Sequence, residues 1–125
     1  LKALDMILNA NTIPFSAREK RIIGSIARYH RREKPKGKHK HLVELPVVDQ
    51  RVVTILSSIL RVADGLDASP RGNVIDLSCS YSPVEITIHC QVKSQASKQK
   101  KRALGKGELM EFAFDRDLYI EWYRV

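Results

Sequence analysis

The sequence has few of the residues on which several classes of protein depend. It holds two cysteines, Cys79 and Cys90, which cannot form the common four-ligand zinc sites by themselves. No apolar run approaches the ~20 residues that span a bilayer, and the start carries no secretory signal. Asp and Glu are outnumbered, 14 against 22 Lys and Arg. These shortages argue against a zinc-finger, membrane-spanning or secreted protein.

Catalytic motifs are also missing. The sequence has no HExxH, no His-Asp dyad, no GxSxG, no Walker A and no GxGxxG loop. His30, Asp64 and Asp67 are conceivable metal ligands, and His39 and His41 add two imidazoles within a lysine-rich stretch. A lone histidine at the end of a helix is more often a hydrogen-bonded core residue. We therefore predict no catalytic residue, no metal site and no cofactor in this chain.

Both cysteines lie in segments with strand periodicity and inward parity, which favours buried free thiols over a disulfide. Free thiols fit a reducing, cytoplasmic location. The chain begins with Leu rather than Met, so we expect it to be an excised or processed piece of a longer protein.

The positive charge is the strongest signal of composition. The net charge is +8 and the isoelectric point is near 9.7, which indicates nucleic acid, phosphate chains, nucleotides or acidic membrane as partners, or simply a solvated basic surface. Two stretches concentrate the charge, residues 31–41 and 98–102. Neither contains the interleaved aromatic residues that stack on single-stranded bases, so phosphate-rich anions are favoured over nucleic acid.

Apolar periodicity predicts a long helix over residues 47–69. Its predicted buried stripe recurs at steps of three and four and comprises Val52, Ile55, Leu56, Ile59, Leu60, Ala63 and Leu66. Arg61, Asp64 and Asp67 lie near its C-terminal end. Two more helices are predicted before it, over residues 1–10 and from Ser16, where Ser16 and Glu19 form a capping box.

The remaining sequence changes from helical to strand periodicity. Two alternating runs around Ser82 and Pro83 predict a β-hairpin at about 74–92. A patternless basic segment at about 93–107 predicts a mobile loop, and a strand followed by a helix is predicted at about 108–123. The predicted fold class is α+β, with a helical portion over residues 1–69 and a small α/β subdomain over residues 70–125.

One family resemblance rests on two motifs. The segment IIGSIARYHRREKPKGKHKH, followed by VVTILSSILRVADGLDASPRGNV, resembles the C-terminal region of the exopolyphosphatase / guanosine pentaphosphate phosphohydrolase family. In that family a helix ending in ARYHR, a basic Pro-containing loop and an LRVADGLDASPRG-like helix follow in this order. The quoted motifs span roughly residues 16 to 74.

The resemblance implies a helical, HD-like bundle followed by a small α/β subdomain. It also implies that catalysis belongs to an N-terminal actin-like module that uses magnesium and lies outside this chain. Asp64 matches the last aspartate of an HD-like site, and the resemblance implies that the other residues of that site would lie before Leu1. The basic residues would guide polyphosphate or guanosine pentaphosphate toward that module.

The leading hypothesis is therefore a phosphate-chain-binding portion of a phosphohydrolase. The predicted polyanion-binding residues are Arg28, His30, Arg31, Arg32, Lys36, Lys38 and Arg61. Asp64 is expected to pair with Arg61 or His30, and Asp67 to support the turn at residues 69–72. The alternatives are an autonomous HD-type metal phosphohydrolase with His30 and Asp64 as ligands, a nucleic-acid-binding module, and a dimerisation domain with exposed hairpin edges. No membrane partner is expected, and a homodimer is possible.

Overall fold

The computed structural model describes residues 2–10, 14–29, 44–68 and 72–125. Within these ranges the chain forms α1 (Lys2–Asn9), α2 (Ala17–Tyr29), α3 (Val47–Leu66), β1 (Val74–Tyr81), β2 (Glu85–Val92), α4 (Ser97–Lys106), α5 (Glu108–Phe114) and β3 (Asp117–Arg124). The predicted α+β class is confirmed.

The chain divides into two compact units, residues 1–57 and 58–125. The division falls inside α3, whereas the sequence placed the boundary after residue 69. Each unit has a separate cluster of buried apolar side chains.

In the first unit, α2 begins with the predicted capping box. The Ser16 backbone N–H donates to Glu19 Oε1 at 3.0 Å, and the Glu19 N–H donates to Ser16 Oγ at 3.1 Å. The bond from the Ser16 N–H to the carboxylate lowers the pKa of Glu19, and the Ser16 side chain adds to this effect. Two backbone donors that the first turn of a helix leaves unpaired are thereby satisfied, which fixes where α2 starts.

The first unit is held together by a small apolar cluster. Tyr29, Leu45 and Val53 are buried together, and Ile22 and Ile26 of α2 pack against them. The helical repeat of α2 brings Ile22, Ile26 and Tyr29 onto one face of the helix, as its sequence predicts.

The buried face of α3 is not the predicted one. Of the seven apolar residues in that stripe only Leu66 is buried; Ile55 is half-buried and the other five are exposed. Val53, Ser57 and Arg61 lie one residue after a predicted position, whereas Ser58, Val62 and Gly65 lie one residue before one. Several residues of the full buried set are small or polar: Asp49, Val53, Ser57, Ser58, Arg61, Val62, Gly65 and Leu66. Apolar residues occur on both sides of α3, so their spacing does not decide which side is covered.

In the second unit, the close approach of α3 to α4 explains part of the observed buried face of α3. A Cβ added to Gly65 would lie 2.8 Å from the Ala103 Cα of α4. Only a residue without a side chain permits α3 and α4 to approach this closely.

The second unit is built on a three-stranded sheet in the order β1-β2-β3. The predicted hairpin is confirmed: β1 and β2 pair antiparallel, with Cys79 opposite Ile88. Ser82 closes the connection because its Oγ accepts hydrogen bonds from the N–H groups of Val84 and Glu85, both at 3.2 Å. β3 pairs parallel to β2, as a crossover through α4 and α5 allows.

One face of this sheet contributes to the core. The cluster contains the buried residues Val62, Leu66, Ile88, Cys90, Ala103 and Met110, with Phe114, Leu118, Ile120 and Trp122 packed against it. Cys90 is buried as predicted, but Cys79 is exposed; both thiols are free. Cys79 differs because it belongs to β1, an edge strand on which every residue after Val74 is exposed.

Two predictions for residues 93–123 are wrong. The segment predicted as a loop contains α4, and the predicted strand-helix order is reversed: α5 comes first and β3 second. The alternation of Met110, Phe112 and Phe114 resembles a strand, yet these residues lie in a helix that ends at Asp115 in the left-handed conformation, φ 51°. The true strand signal is the alternation of Leu118, Ile120 and Trp122, which share the core face.

Candidate anion-binding site

Five of the predicted polyanion-binding residues, His30, Arg31, Arg32, Lys36 and Lys38, lie outside the described residues. Arg28 and Arg61 are described, and so are the supporting residues Asp64 and Asp67. Arg28 belongs to the first unit, and the other three belong to the second.

Arg28 lies in the last turn of α2, half-buried. Its guanidinium carbon is 5.3 Å from the centroid of the Tyr29 ring, so it makes a cation–π contact with a buried aromatic residue. A cation at this end of a helix is also favoured by the helix dipole. Arg28 therefore supports the helix end as well as carrying charge.

Arg61 is placed differently from the surface cation that the sequence predicts. Only 6% of it is exposed. Burial lowers the pKa of its guanidinium, while the negative charge of Glu108 raises it. Because an anion in solution cannot reach a buried guanidinium as readily as a surface one, we leave Arg61 out of the proposed binding face.

Asp64 accepts a hydrogen bond and ion pair from Lys106 of α4. The sequence did not predict this contact, because Lys106 lay in a segment expected to be a loop. The Asp67 side chain is exposed, and its backbone N–H donates to the Ala63 carbonyl at 3.0 Å. Most of the turn that Asp67 was expected to support lies outside the described residues.

The described cations are most concentrated on α4. This helix carries Lys98, Lys100, Lys101, Arg102 and Lys106 without an acidic residue. Lys106 pairs with Asp64, and the Lys100 ammonium lies 5.9 Å from the centroid of the Trp122 ring.

The other three cations of α4, Lys98, Lys101 and Arg102, are exposed. They are spaced i, i+3 and i+4, so they occupy one side of the helix. We call Lys98, Lys101 and Arg102 the α4 basic face. The sequence identified this charge but not its helical arrangement, because the residue before the helix, Ala96, supplies no side-chain cap.

Negatively charged side chains lie on the face of the sheet that is turned away from the core. By strand register, that face carries the carboxylates of Asp76, Glu85, Asp117 and Glu121. These two surfaces of the second unit therefore carry opposite charge, although Glu108 and Glu111 of α5 follow the basic helix directly. Such a distribution directs polyanions toward the helix.

A hydrogen-bonded cluster on the same sheet face was not predicted. Ser80 Oγ lies 3.0 Å from His89 Nε2, and His89 Nδ1 lies 3.1 Å from the Tyr123 hydroxyl oxygen. That hydroxyl also donates to Glu121, which raises the pKa of Tyr123. The members come from three strands, so sequence spacing gave no signal of their proximity. Their contacts orient the His89 ring within an acidic surface.

Among the described residues, no group of three or more His, Cys, Asp or Glu side chains is arranged to hold a metal ion. In the same part of the chain, no helix is both long and apolar enough to cross a bilayer.

No family model matches the chain, and no curated protein matches it.

Proposed function

We propose that this chain binds linear phosphate chains, as the C-terminal part of an exopolyphosphatase-like phosphohydrolase. In this proposal the helical portion is HD-like, and the chemistry occurs on an actin-like, magnesium-dependent module of the same parent protein. The substrate is polyphosphate or a hyperphosphorylated guanine nucleotide such as guanosine pentaphosphate.

The observation that carries the proposal is the α4 basic face. Three exposed cations with helical spacing can contact successive phosphate groups of one chain, the lysines as point charges and Arg102 through a two-pronged guanidinium. The basic stretch at residues 31–41 and the ARYHR and LRVADGLDASPRG motifs support the same assignment.

Segregation of charge also supports a linear anion. The acidic sheet face repels phosphate, so a chain bound to the second unit gains most along α4. Since α4 itself carries no aromatic residue, stacking of bases would add little to this contact.

A competition experiment tests the proposal. Labelled polyphosphate bound to the full 125-residue chain is displaced by unlabelled polyphosphate, guanosine pentaphosphate, a single-stranded oligonucleotide or orthophosphate. We expect polyphosphate or guanosine pentaphosphate to compete best. Displacement by the oligonucleotide at equal or lower phosphate concentration would instead assign the basic surface to nucleic acid.

Matched variants locate the contact. Arg102→Gln and Arg51→Gln each remove one exposed helical arginine, from α4 and α3 respectively. We expect Arg102→Gln to weaken polyphosphate binding roughly three- to tenfold, and Arg51→Gln to have at most a twofold effect. Equal losses would mean that net charge alone accounts for the binding.

A further inference from the structure

The second unit contains an apolar groove that the phosphate-binding proposal does not use. Its volume is about 480 Å³, within the range of roughly 300–1,000 Å³ typical of small-molecule sites. The groove lies between the C-terminal half of α3, the core face of the hairpin and α5. Its lining includes Ile59, Ala63, Cys79, Tyr81, Ile86 and Phe114.

The groove is open to solvent and its lining is almost entirely apolar. Ile59, Leu77 and Tyr81 are 42%, 47% and 81% exposed although all three border it. When a ligand covers apolar surface of this kind, water is released from it, and this release favours binding.

A single cation belongs to the lining. Arg116 is half-buried, and its Nε donates to the Ser82 carbonyl at 2.8 Å, which fixes the guanidinium beside the hairpin turn. Among the described residues, no carboxylate lies within ion-pair distance of Arg116. In the part of the chain that the structure describes, the terminal nitrogens of Arg116 have no hydrogen-bond partner, so they can donate to an anion bound in the groove.

We propose that this groove binds a single-chain amphiphile with an anionic head group, such as a fatty acid carboxylate. The hydrocarbon chain would occupy the space between α3 and the hairpin, and the head group would accept hydrogen bonds from Arg116. An apolar cavity combined with one fixed cation selects this class over a neutral hydrocarbon or a cationic amphiphile.

Cys79 supplies a direct readout because it lines the groove and its thiol is exposed. The rate of its alkylation by iodoacetamide, a neutral reagent, is followed by mass spectrometry on the full chain. Sodium dodecanoate below its micelle concentration is the probe. Dodecyltrimethylammonium, with the same tail and opposite charge, and acetate, with the same head group and no tail, are the comparison compounds.

We expect saturating dodecanoate to slow Cys79 alkylation by about fivefold or more, and acetate to leave it unchanged. Arg116→Gln should weaken dodecanoate binding roughly tenfold without changing the response to the cationic amphiphile. Ala63→Phe, at an exposed position of the lining, should abolish protection by filling the groove. Leu104→Gln, on α4 outside the groove, is the matched control and should bind normally.

Three results would overturn the proposal. The first is no protection of the folded chain by dodecanoate. The second is equal protection by the two amphiphiles with Arg116→Gln silent, which would indicate nonspecific detergent binding. The third is protection that increases with protein concentration in the absence of any amphiphile, which would show that a second copy of the chain covers the groove.

Discussion

At the scale of single residues, a two-pronged ion pair joins Arg18 to Asp49 in the first unit. Arg18 Nε and Nη2 donate to the two carboxylate oxygens of Asp49 at 2.5 and 2.7 Å. The Asp49 side chain is only 6% exposed. A two-pronged pair with one partner buried is costly to break, because the remaining charge stays out of water.

This pair predicts a pH-dependent stability. The hydrogen bond from Arg18 lowers the pKa of Asp49 below its ordinary value. The native carboxyl thus binds a proton less tightly than the unfolded one. The pair's contribution is fully present above the unfolded-state pKa, roughly 3.9, and is lost as pH falls through the native pKa.

Asp49→Asn should therefore lower the melting temperature at about pH 7, and the difference from wild type should shrink progressively below about pH 4. Thermal unfolding followed by circular dichroism measures this. Asp5→Asn removes the same charge from an exposed position on α1 and controls for net charge. A melting difference that is independent of pH would contradict the role given to the pair.

The two thiols also make a prediction at this scale. Cys90 is fully buried, and burial raises its thiol pKa to about 11, with a smaller contribution from Cys79. Because the thiolate is the reactive form, Cys90 should resist alkylation in the folded chain. We expect iodoacetamide at about pH 8 to modify Cys79 first and Cys90 only in denaturant. Equal rates in the native chain would show that the core of the second unit opens readily.

At the scale of elements, the contact between α3 and α4 depends on the absence of a side chain. A Cβ on Gly65 would lie 2.8 and 2.9 Å from the Cα and N of Ala103. These are backbone atoms, which cannot move aside as a flexible side chain can. Gly65→Ala must push α4 away from α3.

We expect Gly65→Ala to destabilise the chain by about 1–3 kcal/mol through overpacking. Gly105→Ala in α4 is the matched control, since nothing lies within 4 Å of its added Cβ. That substitution should be neutral or stabilising by up to about 1 kcal/mol, because alanine favours a helix. Urea denaturation of both variants gives the comparison. Similar effects would mean that α3 and α4 are not in close contact in solution.

Sequence periodicity predicted elements well where two independent signals agreed. The capping box and apolar stripe located α2, and the alternating runs flanking Ser82 located the hairpin. It failed where only one signal was present. The alternation of Met110, Phe112 and Phe114 matched a strand, although their helix has only Leu109 and Met110 buried.

The α4 basic face shows the same limit for the candidate site. The cations at 98–102 were visible as charge, but α4 buries only Gln99 and Ala103, which is too little apolar pattern to indicate a helix. The burial of Arg61 and its placement near Glu108 depend on tertiary contacts that no local pattern contains.

At the scale of the whole molecule, a net charge of +8 is combined with local separation of charge. In the second unit the acidic residues of the outer sheet face are grouped apart from the cations of α4. A general basic surface would attract any polyanion weakly from all directions. A surface on which the cations are grouped apart from the carboxylates restricts binding to one strip. The number of phosphate groups that the protein contacts is then small and can be measured.

The salt dependence of polyphosphate binding measures that number and tests the central proposal most directly. The affinity of the full chain is measured over a series of salt concentrations for wild type and for the triple variant Lys98→Gln/Lys101→Gln/Arg102→Gln. We predict a steep loss of wild-type affinity with salt, and a slope of log affinity against log salt reduced by roughly 2–3 in the triple variant, about one for each phosphate contact removed. An unchanged slope in the triple variant, or wild-type affinity independent of salt, would contradict binding of phosphate chains along α4.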